Sequence, residues 1–294
     1  MRCKRRLVGL KWLWVFGLVG GLDYSGSVLF AQGEPFVMGA RAWGLGNATV
    51  TLSDPYAIGS NVAGIATITD PLIFSSVDTY YSIPGIHTLT FGGVLPIGTD
   101  RAGGFTICRF GDQLYNEVHL GIGVGHKLDW ASLGVKVNYL QVAYNLPSWV
   151  SSQQAVSVEL GGIIELSNQL CLGAHIYNLL QGSFSGAVGS RLPTVLKLGG
   201  RYRPIEELSL VSEINKNSTH PLVFKVGLDY RVFKVLSLRT GLSSGPMTQH
   251  FGAGFRLEAF RFDYAVHSHP HLGWSQHLSL GYLFIRPTPE DGTQ

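Results

Sequence analysis

The chain has 294 residues, a formal charge of +3, only 14% charged residues, 45% hydrophobic residues and 38 glycines. It is apolar for an exported protein and rich in glycine, so the apolar excess has to be buried in something other than a helical core. The positive charge sits in the first residues, which leaves no basic surface for nucleic acid.

Residues 1–31 read as a secretory signal. Arg2, Lys4, Arg5, Arg6 and Lys11 precede an apolar run from Trp12 to Leu22, followed by VLFAQ, and cleavage is expected after Ala31. The run is too short to span a bilayer, which takes about 20 apolar residues. Without this leader 17 basic and 18 acidic residues remain, a net charge of −1. Cys3 precedes the apolar run and is not a lipidation cysteine. Cys108 and Cys171 are expected as separate packed thiols on non-neighbouring strands.

Residues 32–72, beginning QGEPFVMGARAWGLGNATVTLSDPYAIGSNVAGIATITD, do not alternate. Beyond them the hydrophobic period is two almost throughout. In VHLGIGVGH, Val118, Leu120, Ile122 and Val124 oppose His119, Gly121, Gly123 and Gly125. In LVFKVGLDYRV, Leu222, Phe224, Val226, Leu228, Tyr230 and Val232 oppose Lys225, Gly227, Asp229 and Arg231. Phe251, Ala253, Phe255 and Leu257, and then Phe260, Phe262, Tyr264 and Val266, alternate with Gly252, Gly254, Arg256 and Glu258, and with Arg261, Asp263 and Ala265.

A soluble sandwich also alternates, but its outward face is varied and wet. Here the polar face is glycine, serine and opposite charges, and the apolar face is large and aromatic-ended. That pattern predicts an all-β, transmembrane antiparallel barrel over residues 73–286, with lipid outside and a polar lumen inside. About fourteen segments are expected, centred near 77, 91, 105, 122, 136, 160, 173, 198, 211, 226, 239, 252, 263 and 281. The connections SIPGI, GDQLYNE, NLPSWVSSQQ, LLQGSFSGAVGSRLPT, INKNSTHP, SSGPMTQH and HSHPHLGWSQ are read as outside loops, and IGTD, KLDW, ELSNQ, RPIEE, RVFK and RLEA as periplasmic turns. Fourteen strands enclose more space than side chains fill, so residues 32–72 are expected to fold into the lumen as a plug. Residues 287–294 form a polar tail.

The barrel assigns roles to the remaining polar residues. Lys197, Arg201, Lys225, Asp229, Arg231, Arg256, Glu258, Arg261 and Asp263 fall on the lumen face and read as a charge network holding the plug. His267, His269 and His271 share a strand face, which permits metal binding, but Pro270 bends the run and no acid or cysteine is near. They are read as rim residues with Trp274, and no metal or other cofactor is expected. The glycine-rich fourth strand suggests a kink or opening. GLG at 44 and GIGVG at 121 lack the context of a phosphate loop, and no catalytic constellation stands out.

GARAWGLGNATVTLSDPYAIGSNVAGIA resembles the N-terminal signature of the PorV/PorQ-like outer-membrane proteins, relatives of the FadL fatty-acid channels. Gly39, Ala40, Arg41, Ala42, Gly44, Gly46, Ala48, Asp54, Asn61, Ala63 and Gly64 match the family pattern, while Val62 replaces its proline. LGAHIYNLLQG, YRPIEELSLVSEINKN and DYAVHSHPHLGWSQHLSLGY are similar to later family segments. The resemblance implies an FadL-like barrel in the outer membrane of a diderm bacterium, with a plug motif at Gly39, Arg41, Gly44, Gly46, Asp54, Asn61 and Gly64. It implies one of two roles. The first is that of a PorV-like accessory protein of type IX-like secretion in Bacteroidetes-like bacteria, binding protein partners or cargo through outer loops that carry Trp149, Phe184, His269, His271 and Trp274. The second is passage of a hydrophobic small molecule.

Overall fold

The computed structural model describes residues 33–147, 149–185 and 191–284, with the backbone alone of Leu146 and Trp149. The expected signal sequence with its cleavage site, and the expected polar tail 287–294, lie outside the described residues. Fourteen strands follow one another: β1 Leu72–Thr79, β2 His87–Ile97, β3 Arg101–Gly111, β4 Tyr115–Lys127, β5 Ala131–Leu146, β6 Trp149–Glu165, β7 Leu170–Tyr177, β8 Val195–Ile205, β9 Leu208–Asn217, β10 Val223–Phe233, β11 Leu236–Ser244, β12 Met247–Leu257, β13 Phe260–His269 and β14 Gly273–Leu283. Each pairs antiparallel with the next, and β1 pairs with β14 to close the barrel. Closure removes the two edges an open sheet would leave, which hydrocarbon would not tolerate.

The alternation decides which side each residue takes. Outward positions are large and apolar, and Ile122 on β4 is 69% exposed. Inward positions are polar or small: Thr90, Thr106, Asn138, Ser157, Glu159 and Ser279 are all buried in the lumen. A charge on the outer face is expected to be costly, because it would sit in acyl chains. Ile122→Arg should lower the stability of the vesicle-folded protein by about 2–4 kcal/mol, read from urea unfolding of protein refolded into vesicles. An unchanged midpoint would place this face in water.

Connections at one rim have lengths that the sequence pattern overstates. Residues 80–86, 178–185, 191–194 and 218–222 lie in loops, and this is the outer rim by the usual asymmetry of outer-membrane barrels. NLPSWVSSQQ, however, is mostly strand: β5 and β6 pair from Ala131↔Ile164 to Leu146↔Trp149 and make the longest hairpin in the wall. β11–β12 pairs up to Ser244↔Met247, and β13–β14 up to His269↔Gly273. Two-sided polar residues such as Gln141, Asn145, Ser151 and Gln153 continue the ladder above the apolar belt, so backbone pairing persists where the alternation fades. At the opposite, periplasmic rim, 98–100, 128–130, 166–169, 206–207, 234–235 and 258–259 are short turns.

The glycine-rich fourth strand is not kinked. It pairs without a break to β3 from Arg101↔His126 to Gly111↔Asn116, and to β5 from Tyr115↔Tyr144 to Lys127↔Ser132. Its inward glycines serve a different purpose, set by what fills the lumen.

Residues 33–70 run inside the barrel. They start at the outer rim, where the Tyr177 hydroxyl donates to the Gly33 carbonyl at 2.8 Å, and leave at the periplasmic rim into β1. On the way they form one turn of helix, α1 (Ala40–Gly44), and two 3-10 turns, Pro55–Gly59 and Val62–Thr67. The Asp54 and Asn61 side chains cap these turns by accepting from the amides of Ala57 and Ala63. The segment circles the wall. Gly44 lies on Gly252 of β12, and Gly46 on Gly241 of β11. Leu45 lies on Gly227 of β10, Val50 on Gly199 of β8 and Gly173 of β7, Asn61 on Gly161 of β6, and Ala63 on Gly134 of β5. A Cβ on Gly241 would stand 2.2 Å from the Gly46 amide nitrogen, and one on Gly134 2.6 Å from that of Ala63. The inward glycines are thus a belt on which plug backbone lies directly against strand backbone. Cys108 on β3 and Cys171 on β7 are buried, free thiols.

Candidate functional site

The plug is held by charge in its lower half. Arg41 of α1 reaches two carboxylates at once. Its Nη1 lies 2.8 Å from Asp54, and its Nε and Nη2 lie 3.2 and 2.9 Å from Asp229 on β10. Arg239 of β11 completes the cluster, with Nε 3.3 Å from the other oxygen of Asp229 and Nη1 bonded to Asp263 of β13. Burial works against the Arg41 charge, but Asp229, Asp54 and Asp263 more than offset it and hold its pKa above the ordinary value. Two guanidinium forks between three carboxylates give planar, paired recognition that lysine could not reproduce.

A second anchor lies beside the first, on the neighbouring strands. Glu213 of β9 accepts from the amides of Thr49 and Val50 at 2.8 and 2.9 Å, and its other oxygen takes Lys225 Nζ at 3.1 Å. Arg201 of β8 donates to the Thr51 carbonyl at 2.9 Å. Asn61 Nδ2 donates to the Val50 carbonyl at 2.6 Å and reaches the wall at Gly162. Backbone groups of an irregular segment find no ladder of their own, so wall side chains satisfy them. Lys136, Glu159, His175 and Asn138 form a further buried network on β5 to β7, with Glu159 2.9 Å from His175 and 2.6 Å from Asn138.

Above the plug, facing the outer loops, is a cavity of about 710 Å³. Val37 and Trp43 of the plug form its floor. Tyr80, Tyr81 and the 218–222 loop stand around it, and Lys197, Lys225, His250 and His267 project from the strands. Trp43 packs over a strip of three histidines. Its ring centroid lies 3.9 Å from that of His277 and 4.9 Å from that of His267, with planes within 12° and 6°, and 6.3 Å from that of His250. Asp78 of β1 bonds His277 at 2.7 Å, and His277 bonds His267 at 2.9 Å. The strip follows from register: Asp78 pairs with His277 across β1–β14, and His250 with His267 across β12–β13. The floor of the cavity is therefore an aromatic layer anchored by one buried carboxylate.

This architecture has counterparts among solved structures. A toluene transporter from Pseudomonas putida, TodX, superposes with a TM-score of 0.67 at 12% identity, covering 86% of this chain and 100% of that one. A FadL homologue from Pseudomonas aeruginosa gives 0.60 at 14% identity over 85% and 99%. A second TodX structure gives 0.61 at 12% over 84% and 96%. No protein-family model matches the sequence, and no curated protein matches it. The chain has the FadL-like fold, a closed fourteen-stranded barrel with a lumen plug. With its apolar outer belt it is an outer-membrane protein of a diderm bacterium.

The residues singled out from sequence fall into three groups. Gly39, Arg41, Gly44, Gly46, Asp54, Asn61 and Gly64 all lie in the plug. Gly39 and Gly46 have positive φ, 83° and 65°, and the Tyr56 ring covers Gly39. Of the lumen charges, Lys197, Arg201, Lys225, Asp229 and Asp263 are drawn inward to the plug or the cavity. Arg231, Arg256, Glu258 and Arg261 are not part of that network. Arg231 pairs at the periplasmic rim with Glu207, 3.8 Å away. Arg256 and Arg261 sit opposite each other across β12–β13, and neither forms an ion pair among the described residues. Glu258 is an exposed turn residue with φ 34°. They lie toward the periplasmic mouth, where Arg231 and Arg256 border a small cavity that Arg41 and Asp229 also line.

The rim residues also divide. His271 and Trp274 are exposed on the β13–β14 hairpin, and His269 is half-buried at the end of β13. His267 is no rim residue, since it is buried against Trp43. Phe184, expected exposed, is 4% accessible and packs on Leu140, Val142, Ala155 and Leu192. The inner wall of the long β5–β6 hairpin is apolar at that height and gives the ring a better home than water. The side chain of Trp149 lies outside the described residues. Sequence reading passed over Arg239, Glu213, Lys136, Glu159, Asp78 and His250. Arg239 was within reach, because it alternates with Leu236, Leu238 and Leu242 and shares its face with Gly241.

Proposed function

We propose that this chain is a closed channel for apolar small molecules across the outer membrane, with residues 33–70 as its stopper. The observation that carries the reading is the outer cavity. It is walled by Trp43, Tyr80 and Tyr81, is bounded by outer loops, and ends on a segment that side chains hold in place rather than a continuous ladder. A pocket of this size, with aromatic rings set among polar side chains such as Asn215, Asn217 and Lys225, suits a small organic molecule. TodX, a toluene transporter with the same fold, points the same way.

The test is uptake of radiolabelled toluene by a diderm host lacking its own hydrocarbon channels. Cells producing the chain are expected to accumulate label several-fold faster than cells producing a porin at equal level. Equal rates would overturn the reading. A second reading, a PorV-like protein that binds a secretion partner, has the plug-motif resemblance behind it. The exposed outer hairpin that carries Leu272 and Trp274, 52% and 53% accessible, also favours it. Gentle extraction from native membranes that recovers the protein alone, without a stoichiometric companion, would end that reading.

A further inference from the structure

The inward face of β8 reads Lys197, Gly199, Arg201, Arg203: three cations and a glycine, with no acid. Lys197 lines the outer cavity, Arg201 lies beside the plug, and Arg203 borders a cavity of about 500 Å³ at the periplasmic mouth. Lys197 is 7% accessible and has neither hydrogen bond nor ion pair among the described residues. Its acidic neighbour across the β8–β9 ladder, Glu213, is fully engaged by Lys225, Thr49 and Val50. Glu159 is held by Lys136, His175 and Asn138. Glu34, which also borders the cavity, is bonded to Asn217 at 2.6 Å and lies 3.2 Å from His220. A buried ammonium without a partner is costly, and this one faces a space large enough for a ligand. The walls of that space are aromatic: Trp43, Tyr80, Tyr81 and the imidazoles of His250 and His267.

Two neighbouring plug residues stand on this line. Val50 lies on Gly199, its Cγ1 2.7 Å from where a Cβ would be, and Thr51 takes the Arg201 guanidinium through its carbonyl. A carboxylate is a stronger partner for a guanidinium than a neutral carbonyl.

Resting on the channel reading above, we infer that the molecule taken by this lumen is an aromatic carboxylate. Lys197 receives its anionic group, which then passes down β8 by displacing Thr51 from Arg201 and reaches Arg203 at the periplasmic mouth. The ring stacks against the aromatic side chains while the carboxylate finds Lys197, which has no partner among the described residues. Once the carboxylate takes Arg201, Thr49–Thr51 keep the Glu213, Asn61 and Leu52 hydrogen bonds, and Val50 has to swing off Gly199 for the line to clear. A neutral hydrocarbon gains nothing at the three cations and is taken more weakly, through the aromatic side chains alone.

The probes are 2-naphthoate, its neutral counterpart 2-methylnaphthalene, and decanoate. Binding is measured by calorimetry on the detergent-solubilised protein. The wild type is expected to bind naphthoate at least about tenfold more tightly than methylnaphthalene, the worth of one charge-assisted hydrogen bond. Lys197→Gln should erase that difference and Lys197→Arg should keep it, with the heat-modifiable gel mobility of a folded barrel unchanged in both. Arg203→Gln should leave cavity binding as it is and slow naphthoate flux into proteoliposomes several-fold. Equal binding of the two naphthyl probes, or a Lys197→Gln variant that binds like wild type, would overturn the anionic assignment and leave the channel reading standing. Decanoate binding as tightly as naphthoate would overturn the aromatic assignment, and unchanged flux in Arg203→Gln the β8 route. Binding of none of the three would sink the channel reading together with this one.

Discussion

Arg41→Ala is expected to convert a closed barrel into a leaky one. Arg41 joins α1 to Asp54 within the plug and to Asp229 on the wall. Its removal leaves Asp54 with only the Ala57 amide, and leaves Asp229 sharing Arg239 with Asp263. Removing one partner of a buried ion cluster costs about 3–5 kcal/mol, because the remaining charges stay buried without compensation. The barrel itself does not depend on this contact, since its fourteen ladders close on their own. The loss should therefore appear in the plug. In planar bilayers the wild type is expected to stay silent and Arg41→Ala to show frequent ion-conducting openings, with heat-modifiable mobility unaltered. Arg41→Lys should fall between them, because one ammonium cannot span two carboxylates as a planar fork does. If Arg41→Ala were as silent as the wild type, the charge cluster would not be what keeps the plug seated.

The second large effect separates two adjacent glycines of β6. A Cβ on Gly161 would stand 2.0 Å from Asn61 Oδ1 and 3.3 Å from the Ala63 amide nitrogen, whereas one on Gly162 meets nothing closer than Leu133 Cδ2 at 3.6 Å. Asn61 cannot move aside cheaply, since it caps the turn at Ala63 and donates to the Val50 and Gly162 carbonyls. Gly161→Val should therefore displace the plug from β5 and β6. The expected cost exceeds the 1–3 kcal/mol usual for overpacking, because backbone lies behind the side chain. Rapid proteolysis of residues 33–70 in the folded barrel would show it. Gly162→Val faces lipid, where a β-branched residue suits a strand, and should leave both the plug and the unfolding midpoint unchanged. Equal protease resistance in the two variants would mean that the plug does not lie on the glycine belt.

The barrel was legible in the sequence because its two solvents differ so strongly. Acyl chains admit only large apolar side chains at alternate positions, so runs such as Leu120, Ile122, Val124 and Phe251, Ala253, Phe255 fix strand, face and count without tertiary information. The same parity placed Lys225, Asp229 and Asp263 in the lumen. It also reaches Arg239, which the same rule covers.

Three things depended on the fold. Which charges meet is set by the path of the plug, so Asp229 joins Arg41 while Arg256 and Arg261 on the same inner surface form no ion pair among the described residues. The ends of hairpins depend on backbone pairing above the membrane, where no hydrophobic pattern marks the strand, and the β5–β6 ladder therefore runs through residues that read as a loop. The glycines are the third case. A glycine in a strand pattern is compatible with a kink or with a close approach, and only the path of residues 44–66 around the wall shows that these are approaches. The strip of Asp78, His277, His267 and His250 beneath Trp43 arises in the same way. The consecutive strands β12 to β14 set the three histidines side by side, and only closure of β1 on β14 brings Asp78 to them.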